Sequence, residues 1–285
     1  MTIKVKLTGG LGNQMFQFAA GYSIAKKNNV KLSLDLRRFN RREDHNGFEL
    51  QKVFDIYSKV DFLNNPVNFG FINFKEILNN IDITFHTFKE PHFNYTNKIL
   101  DIPKHSTLNG YWQSELYFKD YTQEIRKIFS FSKQLDKKNS LIANEIDQNN
   151  SISIHVRRGN YLLKTNINHN VNLKEYYLTA IKKTSILFDN PKYFIFTDDP
   201  LWVAKNFTLN HSFTVVDINR GSDSFYDMYL MSLCKCNIIA NSSFSWWGAW
   251  LNNKENKTIY APKNWFMDKS ICTDNLIPNS WNIIR

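Results

Sequence analysis

Residues 151–161 have the sequence SISIHVRRGNY. Alternate residues of this stretch are apolar and would share one face of a β-strand: Ile152, Ile154 and Val156. In open α/β sheets, ligands bind beyond the carboxyl ends of the strands, which is where Arg157 and Arg158 would lie. A guanidinium group is always charged, and its planar fork of donors matches phosphate oxygens. The stretch therefore predicts a strand of an α/β sheet that ends at an anion-binding site.

The same two arginines could instead form an ordinary surface pair. Three neighbours weaken that alternative: His155 within the strand, and Gly159 and Asn160 directly after the arginines. A glycine lets the backbone turn closely around a bound molecule. We therefore favour the binding site.

The second half of the chain alternates short apolar runs with amphipathic ones. The predicted strands are 152–156, 193–197, 213–217, 237–240 and 258–261. The predicted helices are 173–188, 200–207, 224–234 and 244–251. Because strands and helices alternate and the strands are apolar, we expect a parallel sheet covered by helices on both faces.

The first half begins with a predicted βαβ unit. A glycine-rich turn, TGGLGNQ at residues 8–14, joins a strand at 3–7 to an amphipathic helix, and a second strand follows at 30–36. Backbone N–H groups at such a helix N-terminus suit a phosphate or sugar oxygen. The spacing is not that of a dinucleotide fingerprint, so a tight turn without a ligand is an equal alternative. Residues 37–103 show no pattern that assigns their elements.

Two further strand ends carry polar residues. Asp199 precedes Pro200 and is predicted to cap a helix. Asp198 then has two interpretations, a contact with a guanine or ribose edge, or a hydrogen bond that orients an arginine. Three serines, Ser242, Ser243 and Ser245, lie at the start of another predicted helix, where they could bind a pyrophosphate or simply cap the helix.

Composition and charge limit the class of protein. The chain has 285 residues and a net charge of +10, which suggests an anionic partner. The basic residues are scattered among acidic ones, so nucleic-acid binding is not expected. Residues 1–7 lack the apolar core of a signal peptide, and no run approaches the ~20 apolar residues of a membrane span. A soluble, cytoplasmic protein is therefore expected.

Several motifs are missing from the sequence. There is no D-x-D triplet, no phosphate-binding G-x-x-x-x-G-K-[ST] and no G-x-S-x-G. Kinase, P-loop NTPase and serine hydrolase interpretations are therefore disfavoured. The remaining interpretation is a group transfer that needs no metal ion. In such a transfer, fixed positive charge replaces Mg²⁺ in stabilising a departing diphosphate.

Four stretches together resemble one known family. HVRRGNY, GGLGNQMFQFAAGYSIAKK, GYWQS and ANSSFSWWGAWL are similar to the bacterial α-1,2-fucosyltransferases of glycosyltransferase family 11. The resemblance implies a GT-B-like α/β fold with two Rossmann-like lobes, parallel sheets and an inter-lobe cleft. The polar stretch at 132–150 places the lobes at 1–135, on the acceptor side, and 136–285, which would bind the nucleotide sugar.

The implied reaction is the transfer of L-fucose from GDP-β-L-fucose to the 2-hydroxyl of a terminal galactose. Inversion at the anomeric carbon and no metal or cofactor are implied with it. The acceptor would be a surface glycan or an oligosaccharide, with a lipid-linked glycan as one form. A further hypothesis places the basic protein peripherally at the anionic inner face of the plasma membrane.

The resemblance also implies roles for individual residues. Arg157 would bind the donor β-phosphate and stabilise the leaving GDP, with Arg158 in support. His155 would contact the donor or orient Arg157. The other implied donor contacts are Gly10, Gly12, Asn13, Gln14, Asp198, Ser243, Phe244 and Ser245.

The acceptor side is less defined. Trp112 could stack on a sugar ring, or it could fill the core as most tryptophans do. Asn160 replaces the aspartate of the commoner GDY motif, which disfavours a general base at that position. Asn13 could orient the attacking hydroxyl without taking its proton.

Two alternative functions stay open at this point. One is a GT-B transferase that uses a different nucleotide sugar. The other is a glycan-binding protein without catalysis, which seven tryptophans and Asn160 would suit.

Overall fold

A computed structural model describes residues 1–39, 46–63, 86–131, 133–162, 164–207 and 210–285. The chain forms two compact units, Met1–Ser130 and Phe131–Arg285. The division of roles between an acceptor lobe at 1–135 and a donor lobe at 136–285 stays a prediction.

Unit 1 is built on a five-stranded parallel sheet. Its strands are β1 (Thr2–Lys6), β2 (Lys31–Asp35), β3 (Asp61–Leu63), β4 (His86–Lys89) and β5 (His105–Asn109). They are hydrogen-bonded in the order β3-β2-β1-β5-β4, and every pair is parallel. The chain thus leaves β1 toward β2 on one side, while β5 lies on the other. The carboxyl ends of β1 and β5 flank the point where the strand order reverses, which is where ligands of such sheets bind.

The helices of unit 1 are α1 (Leu11–Lys27), α2 (Leu50–Val53) and α3 (Thr122–Ile128). Helix α1 is buried along most of its length. A Cβ atom at Gly21 would collide with the side chain of Val5, so the glycine lets α1 pack closely on β1. Two 3₁₀ turns, Glu115–Tyr117 and Lys119–Tyr121, precede α3.

Unit 2 contains a six-stranded parallel sheet. Its strands are β6 (Asn150–Val156), β7 (Pro191–Thr197), β8 (Phe213–Val216), β9 (Cys236–Ile238), β10 (Thr258–Pro262) and β11 (Asn282–Ile284). The strand order is β11-β10-β9-β6-β7-β8. The chain runs outward from β6 to β8 and then returns to the other side at β9. The order therefore reverses between β6 and β9.

Helices connect these strands and bury the sheet on both faces. They are α4 (Lys137–Asp147), α5 (Lys174–Leu187), α6 (Pro200–Asn206), α7 (Phe225–Leu233) and α8 (Ser243–Trp250). The apolar face of β6 packs into a core with α5, while its polar face is also buried. There Asn237 donates to the hydroxyl of Ser153 at 2.8 Å, so these two buried polar side chains are paired. The predicted parallel α/β architecture is confirmed.

No helix within the described part of the chain has the length and apolar character that a membrane span requires.

Candidate active site

The site in unit 2 lies where the strand order reverses. Arg157 follows β6 directly, and Asn241 and Ser242 follow β9, its neighbour in the sheet. Asp198 follows β7 on the other side of β6. Because parallel strands end at one edge of the sheet, the topology brings these residues together.

The central contact is an ion pair between Arg157 and Asp198. Arg157 Nη1 lies 2.9 Å from Asp198 Oδ2, and the two side chains are 27% and 24% exposed. The other carboxylate oxygen, Oδ1, accepts the backbone N–H of Arg158 at 2.8 Å. Asp198 therefore holds the guanidinium in place, and of its two interpretations the structure favours the one that orients an arginine.

Gly159 makes this arrangement possible. A Cβ atom at this position would lie 2.6 Å from Oδ2 of Asp198 and 3.2 Å from its Cγ. Any larger residue would push the carboxylate away from Arg157. The glycine after the two arginines is thus explained by the close approach of Asp198.

Arg158 points to a different partner. Its Nε donates to Oδ2 of Asp199 at 3.1 Å, and its guanidinium carbon lies 4.2 Å from the centre of the Trp202 ring. Asp199 also accepts the backbone N–H of Trp202 and so caps α6, as predicted. Arg158 thereby joins the end of β6 to the start of α6.

His155 is buried at the end of β6. Burial, followed by the nearby positive charge of Arg157, lowers the pKa of His155 to about 3, so the imidazole is neutral near neutral pH. Its Nδ1 is buried without a hydrogen-bond partner among the described residues. The ring centre lies 5.7 Å from that of Phe244 at the start of α8. A neutral imidazole with an unused nitrogen can hydrogen-bond to a ligand.

The residues at the start of α8 differ in burial and in hydrogen bonding. Ser242 is the N-cap, and its Oγ accepts the backbone N–H of Phe244 at 3.3 Å. Ser243 and Phe244 are half-buried at the first turn. Ser245 is fully buried, where its hydroxyl donates to the carbonyl of Ser242 and accepts the backbone N–H of Ala240. The Ser245 hydroxyl therefore fixes the loop before α8, and the predicted contact of Ser245 with the pyrophosphate stays a prediction.

Two residues of unit 2 were missed by sequence reasoning. Tyr161 contacts both Arg157 and the loop after β9. Asp227, in the first turn of α7, accepts a hydrogen bond from Asn219 at 2.8 Å. Burial raises the pKa of Asp227 to about 7, with the Asn219 hydrogen bond opposing and Asp217 adding to the rise. Tyr161 ends the stretch that indicated the site, but the sequence gives no sign of its partners, and an aspartate in the first turn of a helix, such as Asp227, is common.

Hydrogen bonds to other residues of unit 1 hold its glycine-rich turn in place. Leu11 N–H, at the start of α1, donates to the buried carboxylate of Glu49 at 3.0 Å. Gln14 is fully buried and donates to the carbonyls of Gly9 and Gly47, both at 2.8 Å. Its Oε1 also accepts the backbone N–H of Glu49. These hydrogen bonds give the Gln14 side chain a structural role, and the predicted contact of Gln14 with the donor stays a prediction.

Gly10 and Asn13 remain at the surface of that turn, while Gly12 is buried. Asn13 Oδ1 accepts a hydrogen bond from Gln113 Nε2 at 2.9 Å. Gln113 comes from the GYWQS stretch after β5, so the two motifs of unit 1 meet where its strand order reverses. This contact fixes the direction of the Asn13 side chain.

Trp112 lies in the core of unit 1. It is fully buried, stacks on Phe88 at 6.0 Å and meets Tyr117 edge-on at 5.5 Å. No face of the indole is exposed for a sugar, so the structure favours the core-filling alternative. Asn160 lies in the 3₁₀ turn Gly159–Leu162, and its side chain falls outside what the structure describes.

The described ranges contain His, Cys, Asp and Glu side chains, the usual protein ligands of metal ions. There, no three His, Cys, Asp or Glu side chains are arranged so that they could hold a metal ion together.

The fold is similar to that of a solved fucosyltransferase structure. NodZ alpha-1,6-fucosyltransferase of Bradyrhizobium, co-crystallized with GDP, superimposes with a TM-score of 0.54 at 18% identity. The match covers 87% of this chain and 91% of NodZ. Two parallel α/β units of this kind form a GT-B-like glycosyltransferase fold, which confirms the predicted fold class.

The sequence defines the family. The Glycosyl transferase family 11 model matches residues 1–285, so the chain belongs to this family. It is 35% identical to an alpha-1,2-colitosyltransferase of Escherichia coli, covering 98% of this chain and 97% of that protein. It is 30% identical to the O-antigen biosynthesis glycosyltransferase WbnK of Escherichia coli, covering 96% and 98% respectively. The protein is therefore a glycosyltransferase of a fucosyltransferase-like family.

Proposed function

We propose that the protein transfers L-fucose from GDP-β-L-fucose to the 2-hydroxyl of a terminal galactose, with inversion. The observation that carries this proposal is the Arg157–Asp198 pair at the strand-order reversal of unit 2. A fixed guanidinium at this point suits the diphosphate of a nucleotide sugar. The α-1,2 linkage is supported by the name of the 35% identical relative.

In this reaction an acceptor oxygen forms a bond to the anomeric carbon while the bond to the diphosphate oxygen breaks. Attack from the face opposite the diphosphate converts the β-linked donor into an α-linked product. GDP leaves with an additional negative charge, and the proton of the acceptor hydroxyl passes to the surrounding water. The leaving group therefore gathers charge in the transition state, and groups that stabilise this charge accelerate the step.

Arg157 would stabilise the departing GDP. Asp198 accepts the backbone N–H of Arg158 and pairs with the guanidinium of Arg157. The guanidinium is therefore in position before the substrate arrives, so little reorganisation is needed during the reaction. The neutral His155 would offer its unused Nδ1 to the donor. The first turn of α8, with Ser243 and Phe244, would contribute the positive end of its helix dipole to the pyrophosphate.

Asn13 would orient the acceptor hydroxyl or the fucose. A carboxamide cannot take up a proton at neutral pH, so Asn13 positions a group and does not act as a base. The hydrogen bond from Gln113 supports this role, because it fixes the rotamer of Asn13. Gly10 and Gly12 would contribute close backbone approach.

We propose that the reaction needs neither a metal ion nor a cofactor. The support is chemical, because the permanent positive charge of Arg157 can stabilise the same oxygens that Mg²⁺ would. Transfer should persist in excess EDTA and should not increase when Mg²⁺ or Mn²⁺ is added. A strict dependence on added metal would contradict this part of the proposal.

The similarity to a colitosyltransferase suggests GDP-colitose as a second candidate donor. Colitose is L-fucose without its 3-hydroxyl, so GDP-colitose has the same diphosphate and the same anomeric chemistry. The two donors would differ only at a group remote from Arg157. We therefore treat GDP-colitose as the competing donor.

For the acceptor, we propose a galactose-terminated surface glycan, including its lipid-linked form. The O-antigen name of the 30% identical relative supports this class. The net charge of +10 would hold the protein at an anionic membrane surface. Sedimentation with anionic and neutral liposomes tests the membrane contact, and equal recovery with both would contradict it.

A glycan-binding protein without catalysis receives less support. Six of the seven tryptophans are buried: Trp112, Trp246, Trp247, Trp250, Trp265 and Trp281. They fill the two cores and present no row of exposed rings. The count of tryptophans in the sequence therefore gives no argument for a sugar-binding surface.

The deciding experiment incubates the purified protein with GDP-fucose, GDP-colitose and a UDP-sugar, each with β1,3- and β1,4-linked galactosides. We expect transfer from GDP-fucose and an α-1,2 linkage by NMR. Faster transfer from GDP-colitose would establish the second candidate. Transfer from the UDP-sugar alone, or hydrolysis without transfer, would overturn the proposal.

A further inference from the structure

Tyr161 connects the two strand ends that flank the strand-order reversal in unit 2. It lies in the 3₁₀ turn Gly159–Leu162 after β6. Its hydroxyl donates to the carbonyl oxygen of Asn241, in the loop between β9 and α8, at 3.1 Å. One side chain therefore joins the segment that carries Arg157 to the segment that begins α8.

The partner loop is itself fixed. Asn241 is 2% exposed, and its Nδ2 donates to the carbonyls of His169 and Trp265, both at 2.9 Å. The hydroxyl of Tyr161 thus bonds to an anchored loop. Ser242, the N-cap of α8, follows directly, so the position of Asn241 determines where that helix begins.

The ring of Tyr161 has a separate role. The guanidinium carbon of Arg157 lies 5.8 Å from the centre of this ring, within the range of a cation–π contact. His169 stacks on the same ring at 5.0 Å, with only 21° between the planes, and Phe266 packs against His169 at 5.1 Å. The ring that Arg157 contacts is therefore held by a chain of aromatic neighbours.

We propose that Tyr161 is a positioning residue for nucleotide-sugar binding: its ring orients Arg157, and its hydroxyl sets the start of α8 relative to that arginine. Together these contacts would present the guanidinium and the helix N-terminus to the same diphosphate. The inference rests on the proposed function, because it takes Arg157 and the start of α8 as the diphosphate site. Burial raises the pKa of Tyr161, so the phenol remains protonated and can donate throughout the neutral range.

The two roles can be separated because phenylalanine keeps the ring and loses the hydroxyl. Tyr161→Phe should weaken GDP binding about fivefold through the lost hydrogen bond, with kcat within about twofold of the wild type. Tyr161→Leu loses the ring as well and should in addition lower kcat about fivefold or more, since Arg157 loses its support. Restoration of kcat by phenylalanine is the signature that a purely structural tyrosine would not give.

A matched control is available in the same unit. Tyr193 is fully buried, and its hydroxyl is bonded to Thr184 and to the carbonyl of Ile181, away from the carboxyl ends of the strands. Tyr193→Phe should lower the thermal unfolding midpoint without changing GDP affinity. It separates the general effect of losing a buried phenol hydroxyl from the effect on the site.

GDP affinity by calorimetry and fucosyl transfer kinetics would be measured for the wild type, the Tyr161 variants, Tyr193→Phe and Arg157→Ala. Unchanged GDP affinity in Tyr161→Phe, or unchanged kcat in Tyr161→Leu, would overturn the Tyr161 proposal while Arg157→Ala still shows the expected loss. A wild type that does not bind GDP, or a fully active Arg157→Ala, would instead overturn the proposed function and this inference with it. If Tyr161→Leu does not fold, the GDP affinity of Tyr161→Phe decides alone.

Discussion

Replacing Gly159 by alanine tests the geometry of the site with a single methyl group. The new Cβ would lie 2.6 Å from Oδ2 of Asp198, about 1 Å closer than a van der Waals contact of about 3.5 Å. The carboxylate must therefore move, although it is bonded to Arg157 at 2.9 Å and to Arg158 N–H at 2.8 Å. Losing one charge-assisted hydrogen bond costs about 1.5–3 kcal/mol.

If that loss falls on the orientation of Arg157 in the transition state, turnover of Gly159→Ala should drop by about 10- to 150-fold. The assay is steady-state fucosyl transfer, together with a thermal unfolding curve that reports on the fold. Gly159 is exposed and lies outside the core, so the unfolding midpoint should shift by only a few degrees.

A double-mutant cycle identifies the cause. In an Asp198→Ala background the clash is gone, so adding Gly159→Ala should change turnover by less than about twofold. An equally large loss in that background would show that the methyl group acts on something other than Asp198. Wild-type turnover in the single variant would refute the reasoning altogether.

Three further predictions concern stability and pH. Trp112→Ala should reduce the free energy of unfolding by about 3–5 kcal/mol in a urea titration, because the indole is fully buried; a loss below about 1 kcal/mol would contradict its place in the core. Glu49→Gln should cost about 1 kcal/mol, since the carboxylate faces Leu11 N–H at the start of α1, and a more stable variant would count against that contact. For Asp227 the folded pKa of about 7 lies above the ordinary value, so the folded state binds more protons and stability falls as pH rises from about 4 to 7. Asp227→Asn should gain on the wild type across that window and level off above it, and a constant difference would contradict the raised pKa.

Much of the fold could be predicted from periodicity. In unit 2 the apolar strands and the helices between them were located to within a few residues, because strands buried on both faces produce clear apolar runs. The strands β3, β4 and β11 were missed. β3 and β11 have only three residues each, and β4 lies at the edge of its sheet with mostly exposed side chains, so none gives a periodic signal.

The sequence did indicate the polar residues that directly follow the carboxyl end of a strand. Arg157, Asp198 and the start of α8 were located because parallel strands bring their carboxyl ends to one edge. The sequence did not show which motif side chains would be buried and bonded to other parts of the protein. Gln14 bonds to Gly47, 33 positions away along the chain, and such a partner leaves no mark on the local sequence.

The contacts of Tyr161 could not be predicted from the sequence either. It belongs to the motif that first indicated the site, yet its contacts are with Arg157 beside it and with Asn241 from a distant loop. A motif shows which residues occur together. The tertiary fold determines which of them face a ligand and which hold the others in position.

The central claim is that Arg157 stabilises the departing diphosphate of the nucleotide sugar. The most direct measurement is kcat/KM for GDP-fucose in Arg157→Ala, with thermal unfolding as the check on folding. Removing one preorganised donor to developing charge costs about 3–4 kcal/mol, so we expect a loss of at least about a hundredfold in a folded variant. Near wild-type transfer by a folded Arg157→Ala protein would contradict the account.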